Sequence, residues 1–245
     1  MKIVVLDCPY DTMSDPFVAD ILTKIHQLKI RGYHKNHSDK CMPIDASDFF
    51  GIHTCLCEVN GQELNPIAAF KTTPLSRYKR FNLDFPLLGY FKHKDFKKHY
   101  ASLDNFLRAC EARNEEACYD SSMTICPSKR RTQKEGDKTI WEITKAMYVK
   151  IHIEKNINNL IAGGSVKLNM HNILKYWGYS PLKLDLETLD SIYVSYYNNE
   201  ETIFFTSSSG HSPKSIEDSF LINDLWESRI EIISPKYIST TKKAS

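Results

Sequence analysis

Three stretches of this 245-residue chain carry side chains whose types and spacing can do chemistry. The first is Lys129-Arg130-Arg131-Thr132-Gln133-Lys134, ahead of Thr139-Ile-Trp-Glu142, a capping-box pattern that opens a helix. Cations before a helix N-terminus suit an anion such as phosphate, because the free N–H groups and the dipole already favour negative charge; a solvated loop is the alternative. The second is Pro43-Ile-Asp45-Ala-Ser-Asp48, whose two carboxylates either hold an ammonium group or start a turn and cap a strand. The third is Asp120-Ser-Ser-Met123-Thr124-Ile125-Cys126, where an acidic residue sits in a strand candidate. Partial burial there raises a carboxyl pKa toward values useful in proton transfer; the alternative is an Asp bonded to nearby backbone. His34 with His37, and His93 with His99, lack carboxylate or thiolate neighbours at metal-ligand spacing, so no metal is expected. The seven cysteines show no C-x-x-C pair and read as reduced, mostly buried thiols.

The rest of the sequence supplies the elements that must position these groups. An apolar run ending at Asp7 suits a strand, and Asp15-Pro16 starts a helix in which Phe17, Ile21, Ile25 and Leu28 recur at helical spacing. That helix is predicted to end near Gly32, with Lys29 in its last turns. Ile52 to Val59 and Pro66 to Thr72 form a hairpin around Asn60-Gly61, which places Lys71 near the end of its second strand. A helix through Phe96, Leu103, Phe106, Leu107 and Cys110 precedes the strand Ala117 to Cys126, stopped by Pro127. Ile140, Ile143, Met147 and Ile151 stripe a third helix; Leu160 to Ala162 form a short strand leaving at Gly163-Gly164. A fourth helix from about Asn169 ends at Gly178, and Ile192 to Tyr197 with Thr202 to Thr206 make a last hairpin. Antiparallel pairs mixed with crossover units imply an α/β (α+β) fold: a mixed sheet with helices on its faces.

Composition narrows the class. With 42% hydrophobic and 25% charged residues the chain reads as an ordinary globular protein, and a net charge of +2 argues against a dedicated nucleic-acid binder. No segment approaches the length of a membrane span, and the first apolar run is too short for a signal peptide, so a cytoplasmic protein is expected.

Several of these stretches, in order, resemble the acyl-homoserine lactone synthases and the related N-acyl amino acid synthases. Pro43-Ile-Asp45-Ala-Ser-Asp48-Phe-Phe is similar to the acidic segment before their central hairpin. Ala69-Phe-Lys71-Thr-Thr-Pro74 followed by Asp84-Phe-Pro86-Leu-Leu resembles their strand end, loop and F-P-x-L segment, and Asp120 to Cys126 stands where they carry an acidic residue beside the thioester. The likeness covers roughly residues 28 to 180.

The resemblance implies a GNAT-like three-layer αβα fold, with a central mixed, mostly antiparallel twisted sheet over residues 1–210. Residues 211–245 would then be a C-terminal extension, partly disordered at its end. It also implies an N-acyltransferase that moves a fatty acyl group from acyl carrier protein or acyl-CoA to the amine of an amino acid or homoserine-lactone-type acceptor, with no permanently bound cofactor. Asp120 would accept the amine proton, and the backbone at Met123 and Thr124 would stabilise the oxyanion. Asp45, Asp48, Lys71 and Lys29 would bind the acceptor. Ile125, Cys126, Lys129, Arg130 and Arg131 would hold the phosphopantetheine arm, and Lys92, Lys94, Lys97 and Lys98 could dock an acidic carrier protein.

The departures are specific. Lys29 and Tyr33 stand where the lactone synthases have Arg and Phe, Lys71 replaces an Arg, and Met123 occupies the place of an Arg. Losing that bidentate donor counts against S-adenosylmethionine as acceptor. It also opens a non-catalytic alternative, a thioester-binding or regulatory module on the same fold. The phosphate-cradling pattern survives only as Arg130-Arg131-Thr-Gln-Lys-Glu-Gly136-Asp; Tyr176 and Tyr179 flank Gly178, where many acetyltransferases keep a Tyr that protonates the leaving thiolate, and Tyr176 is out of register for that role.

Overall fold

The computed structural model describes residues 1–36, 43–129, 134–135, 138–194 and 199–237. In chain order the elements are β1 (Lys2–Asp7), α1 (Pro16–Asn36), α2 (Ser47–Phe50), β2 (Ile52–Asn60), β3 (Glu63–Pro74), α3 (Leu75–Arg80), α4 (Pro86–Phe91), α5 (Lys97–Ala112) and β4 (Ala117–Ile125). They continue with β5 (Lys134–Glu135), β6 (Lys138–Thr139), α6 (Ile140–Glu154), β7 (Asn159–Ser165), α7 (Met170–Tyr176), β8 (Ser180–Pro181), β9 (Lys183–Leu184) and β10 (Glu187–Thr188). Last come β11 (Ile192–Val194), β12 (Glu200–Ser207), α8 (Pro213–Ser219), α9 (Asn223–Glu227) and β13 (Ile230–Ile233). These elements sort into two compact units, one from residues 1–72, 122–148 and 219 onward, the other from 73–121 and 149–218.

In the first unit β1 lies between β2, antiparallel with Val4 opposite Cys55, and β13, parallel with Val4 opposite Ile230. The β2–β3 hairpin turns at Gly61, whose φ of +63° is the left-handed conformation that glycine adopts without a Cβ penalty. Helix α1 begins as predicted: Asp15 Oδ1 accepts the Phe17 N–H at 2.9 Å, and Pro16 opens the first turn. Val18, Ile21, Leu22, Ile25 and Leu28 form one face of α1, and they bury against Val4, Leu6, Cys55, Cys57 and Ala69 of the strands. The predicted stop at Gly32 is overturned, since the helix runs on to Asn36. Gly32 serves packing instead: a Cβ there would lie 2.1 Å from Thr124 Oγ1. The capping box at α6 forms as read, with the Thr139 N–H donating to Glu142 Oε2 at 2.8 Å and the Glu142 N–H returning to Thr139 Oγ1 at 3.2 Å.

In the second unit β4 pairs in parallel with β7, from Ala117 opposite Asn159 to Asp120 opposite Ala162. β7 and β11 each pair antiparallel with β12. Parallel β1–β13 and β4–β7 among antiparallel neighbours make the mixed α/β, mostly antiparallel pattern expected. Gly163 and Gly164 do not end their strand, because β7 passes through both while pairing with β12. They clear space: a Cβ on Gly163 would meet the Phe204 ring at 3.2 Å, and one on Gly164 the His171 backbone at 2.9 Å. Gly178 does terminate α7, with φ +98° and the Tyr179 N–H returning to the Leu174 carbonyl at 3.0 Å. The stretch from Ser76 to Pro86, for which the sequence predicts no element, contains most of α3 and the start of α4.

Candidate functional site

The acceptor-binding residues predicted in the first unit do come together. Lys29 arrives one turn after Ile25 on α1, Asp48 from the single turn α2, and Lys71 from β3, where it pairs across the hairpin with His53. Lys29 Nζ donates to Asp48 Oδ1. Lys71 Nζ donates to the Ser47 hydroxyl and to Asp45 Oδ1 at 3.1 Å, and lies 3.3 Å from Asp48 Oδ2. Asp48 Oδ2 also accepts the Asp45 N–H at 2.8 Å, and His53 Nε2 sits 2.7 Å from the Asp48 carbonyl. Lys29, Lys71 and Asp48 are sealed, with side chains at 1%, 1% and 0% exposure, whereas the Asp45 side chain is 57% exposed.

Charge and burial shape this cluster together. Burial alone would raise the Asp48 carboxyl, but Lys71 and Lys29 hold it far below the usual range. Burial, with Lys71 close by, pushes the Lys29 ammonium down to about 8 against the pull of Asp48. His53 is pushed down to about 3, chiefly by burial, and so stays neutral at pH 7. Two ammoniums face two carboxylates. Asp48, Lys29 and Lys71, each read as an acceptor ligand, satisfy one another, and Asp45 is the member with surface to offer a substrate.

In the second unit Asp120 lies on β4 at the last residue paired with β7, and is 6% exposed. Tyr179, placed just past the glycine terminus of α7, donates its hydroxyl to Asp120 Oδ2 at 2.7 Å. His152, near the end of α6 and fully buried, shares a hydrogen bond from Nε2 to Asp120 Oδ1 at 3.1 Å. Its other nitrogen, Nδ1, lies 2.8 Å from Nε2 of His211, and the two rings stack at 5.0 Å between centroids and 13° between planes. Burial first, and His152 next, push His211 down to about 3, with Asp120 opposing. An anchored carboxylate in contact with a phenol and an imidazole is equipped to exchange protons with a bound substrate. Sequence reasoning missed His152 and His211, and it placed Tyr179 beside Tyr176 at Gly178 without linking it to Asp120. The one signal for His152 was a titratable residue between Ile151 and Ile153 on an apolar helix.

The remaining predicted residues follow β4 onward. Ser122 has a φ of +62°, which interrupts the strand geometry between Asp120 and Met123. Thr124 is buried with its hydroxyl against Gly32, and Ile125 is buried. The Cys126 N–H donates to the Ile67 carbonyl at 2.7 Å, and Lys129 Nζ to Glu58 Oε1 at 2.7 Å. Arg130 and Arg131 lie outside the described residues. Among the described residues no three His, Cys, Asp or Glu side chains are grouped to hold a metal, and no helix is long and apolar enough to cross a membrane.

No protein-family model matches the sequence, and no curated protein matches it. Solved structures do match. The chain is similar to the CoA-dependent acyl-homoserine lactone synthase BjaI with SAM and isopentyl-CoA, at a TM-score of 0.52 and 10% identity over 95% of this chain and 92% of that one. It is also similar to the CoA-dependent acyl-homoserine lactone synthase MesI (TM-score 0.50, 11% identity, 91% and 95% coverage) and to TofI in an apo form (TM-score 0.50, 10% identity, 89% and 97% coverage). At such identities the likeness shows the fold, which is the one the sequence resemblance implied.

Proposed function

We propose that this protein is an N-acyltransferase, moving an acyl group from the thioester of acyl-CoA or an acyl carrier protein to the amine of a small amino-acid-like acceptor. The observation that carries this reading is Asp120, a nearly buried carboxylate whose two oxygens are held by Tyr179 and His152, on a fold shared with BjaI and MesI. The amine attacks the thioester carbonyl, Asp120 takes the proton the nitrogen must lose, and the C–S bond breaks to release a thiol. Backbone N–H groups at Met123 and Thr124 serve the oxyanion. Asp45, supported by Lys71, Asp48 and Lys29, receives the acceptor's ammonium group. Ile125, Cys126, Lys129, Arg130 and Arg131 line the phosphopantetheine arm.

Purified protein is incubated with acyl-CoA or acyl carrier protein and a panel of amines, and thiol release and new amides are followed by mass spectrometry. Wild type forms an N-acyl product and Asp120→Asn loses most of it. Met123, where the lactone synthases carry Arg, favours one rival, the thioester-binding module; stoichiometric acyl-CoA binding without any amide would establish that rival and overturn transfer.

A further inference from the structure

The acceptor cluster of the first unit reaches the surface chiefly at Asp45 and Phe49. Lys29, Lys71 and Asp48 are sealed, whereas the Asp45 side chain is 57% exposed and Phe49 39%. Asp45 uses its two oxygens unequally. Oδ1 accepts the Ser47 N–H at 2.8 Å, the Ser47 hydroxyl and Lys71 Nζ at 3.1 Å, while Oδ2 accepts nothing among the described residues. The carboxylate is therefore fixed by one oxygen and open at the other. Burial pulls its pKa up, but Lys71 and the Ser47 hydroxyl outweigh that and leave it below the ordinary value, so it is an anion at neutral pH. The Asp48 N–H donates to the Asp45 carbonyl at 3.0 Å and the Phe49 N–H to the Ala46 carbonyl at 3.1 Å, which winds the chain from Asp45 to Phe49 into a single turn. Across a helical turn, side chains four residues apart are neighbours. His26 of α1 props the Phe49 ring edge to face, with centroids 5.9 Å apart and planes at 73°. Burial lowers the His26 pKa, so the prop is a neutral imidazole rather than a competing cation.

The balance of charge limits what Asp45 can hold alone. Lys29 and Lys71 already match Asp45 and Asp48, so an ammonium arriving at Asp45 Oδ2 meets a carboxylate whose charge Lys71 has largely answered. A second attraction is needed, and the face of an aromatic ring supplies one without any net charge, because its quadrupole draws cations. We propose that Asp45 and Phe49 form one ammonium-binding pair, Asp45 Oδ2 accepting an N–H and the Phe49 ring taking the charge and the carbon beside it. This rests on the acyl-transfer reading for calling the bound amine an acceptor. The pair defines a ligand class: an ammonium carried on an apolar carbon frame, such as an α-amino acid derivative with a hydrocarbon side chain, in preference to a small polar amine. Phe49 thereby sets acceptor specificity, a role distinct from the packing that apolar residues of α1 and the strands perform.

Binding is measured by calorimetry on the full chain, without any thioester, for three probes: L-leucinamide, glycinamide, which lacks the apolar frame, and isocaproamide, which lacks the ammonium. Leucinamide is expected to bind at least about tenfold more tightly than either of the others, as apolar contact and a cation–ring attraction together allow. Replacing Phe49 by a ring-trifluorinated phenylalanine keeps the shape and weakens the quadrupole, so leucinamide affinity should fall about 3- to 10-fold. Asp45→Asn should lower it at least about tenfold, the loss of a hydrogen bond to a charged group. Leucinamide that does not bind, glycinamide that binds as tightly, or a fluorinated ring that binds as wild type does each overturn the pair. Amide product in the transfer assay, beside affinities indifferent to the ring, defeats this inference alone. Ring-dependent leucinamide binding without any amide product supports the pair and defeats the acyl-transfer reading alone.

Discussion

The two units each bury a polar cluster, and they solve the problem of burial in opposite ways. In the first, Lys29 and Lys71 match Asp45 and Asp48, so the charges are held by one another and by the Ser47 hydroxyl. In the second, one carboxylate accepts the Tyr179 hydroxyl and shares a hydrogen bond with His152, whose other nitrogen meets a second imidazole. Ion pairs lock a geometry because removing either partner strands a charge. Hydrogen bonds between a carboxylate and imidazoles carry no such matched pair of fixed charges. Under the proposed function the first cluster organises the site and the second handles protons.

The sharpest way to break this contrast is Asp48→Ala, which leaves Lys29 and Lys71 facing each other in a sealed site. Urea denaturation should show a loss of about 3–5 kcal/mol, the cost of breaking a buried pair. Asp120→Asn should act on rate instead, lowering kcat/KM by about 10²- to 10⁴-fold as general-base removal does, while its denaturation midpoint moves less than that of Asp48→Ala. Were the midpoints to fall equally, the second cluster would be as structural as the first. Gly178→Ala forces a Cβ to 2.8 Å from the Ser212 N–H at a φ of +98°, next to His211. It should cost about 1–3 kcal/mol in thermal or urea unfolding, as strained backbone does.

The smallest expected effect is a slope with pH. The Lys29 ammonium titrates near 8 in the folded chain and near 10.4 when unfolded, so between these values the unfolded state binds more protons and stability rises with pH. From pH 8 to 9 the gain is bounded by about 1 kcal/mol. Comparing wild type with Lys29→Met isolates this term, since the cysteine and tyrosine titrations are common to both. A slope that persists in Lys29→Met would show that the lysine is not its source.

What the sequence made legible was local. The α1 start at Asp15-Pro16, the Asn60-Gly61 hairpin and the Thr139–Glu142 capping box each rest on residues within a few positions of one another. Lys29, Asp45, Asp48 and Lys71 were reachable through a family resemblance, but not the way Lys71 and Lys29 occupy the Asp48 carboxylate. The Asp120 network was hidden because its members are 32 and 59 positions apart in the chain. Glycine misled twice for a related reason. At Gly32 and Gly163-Gly164 the missing side chain makes room for a distant neighbour, which looks in sequence like a place where an element stops.

The parallel pairing of β1 with β13 has a consequence for how the chain is made. Val4 waits for Ile230, so the first unit cannot finish its sheet until more than two hundred further residues have left the ribosome. Until then the β1 edge opposite β2 offers unpaired N–H and C=O groups beside an apolar run, an invitation to pairing with another nascent chain. The second unit, whose outermost residues are 73 and 218, can complete its pairings first. Synthesis therefore allows the second unit to complete its pairings before β13 closes the β1 edge of the first.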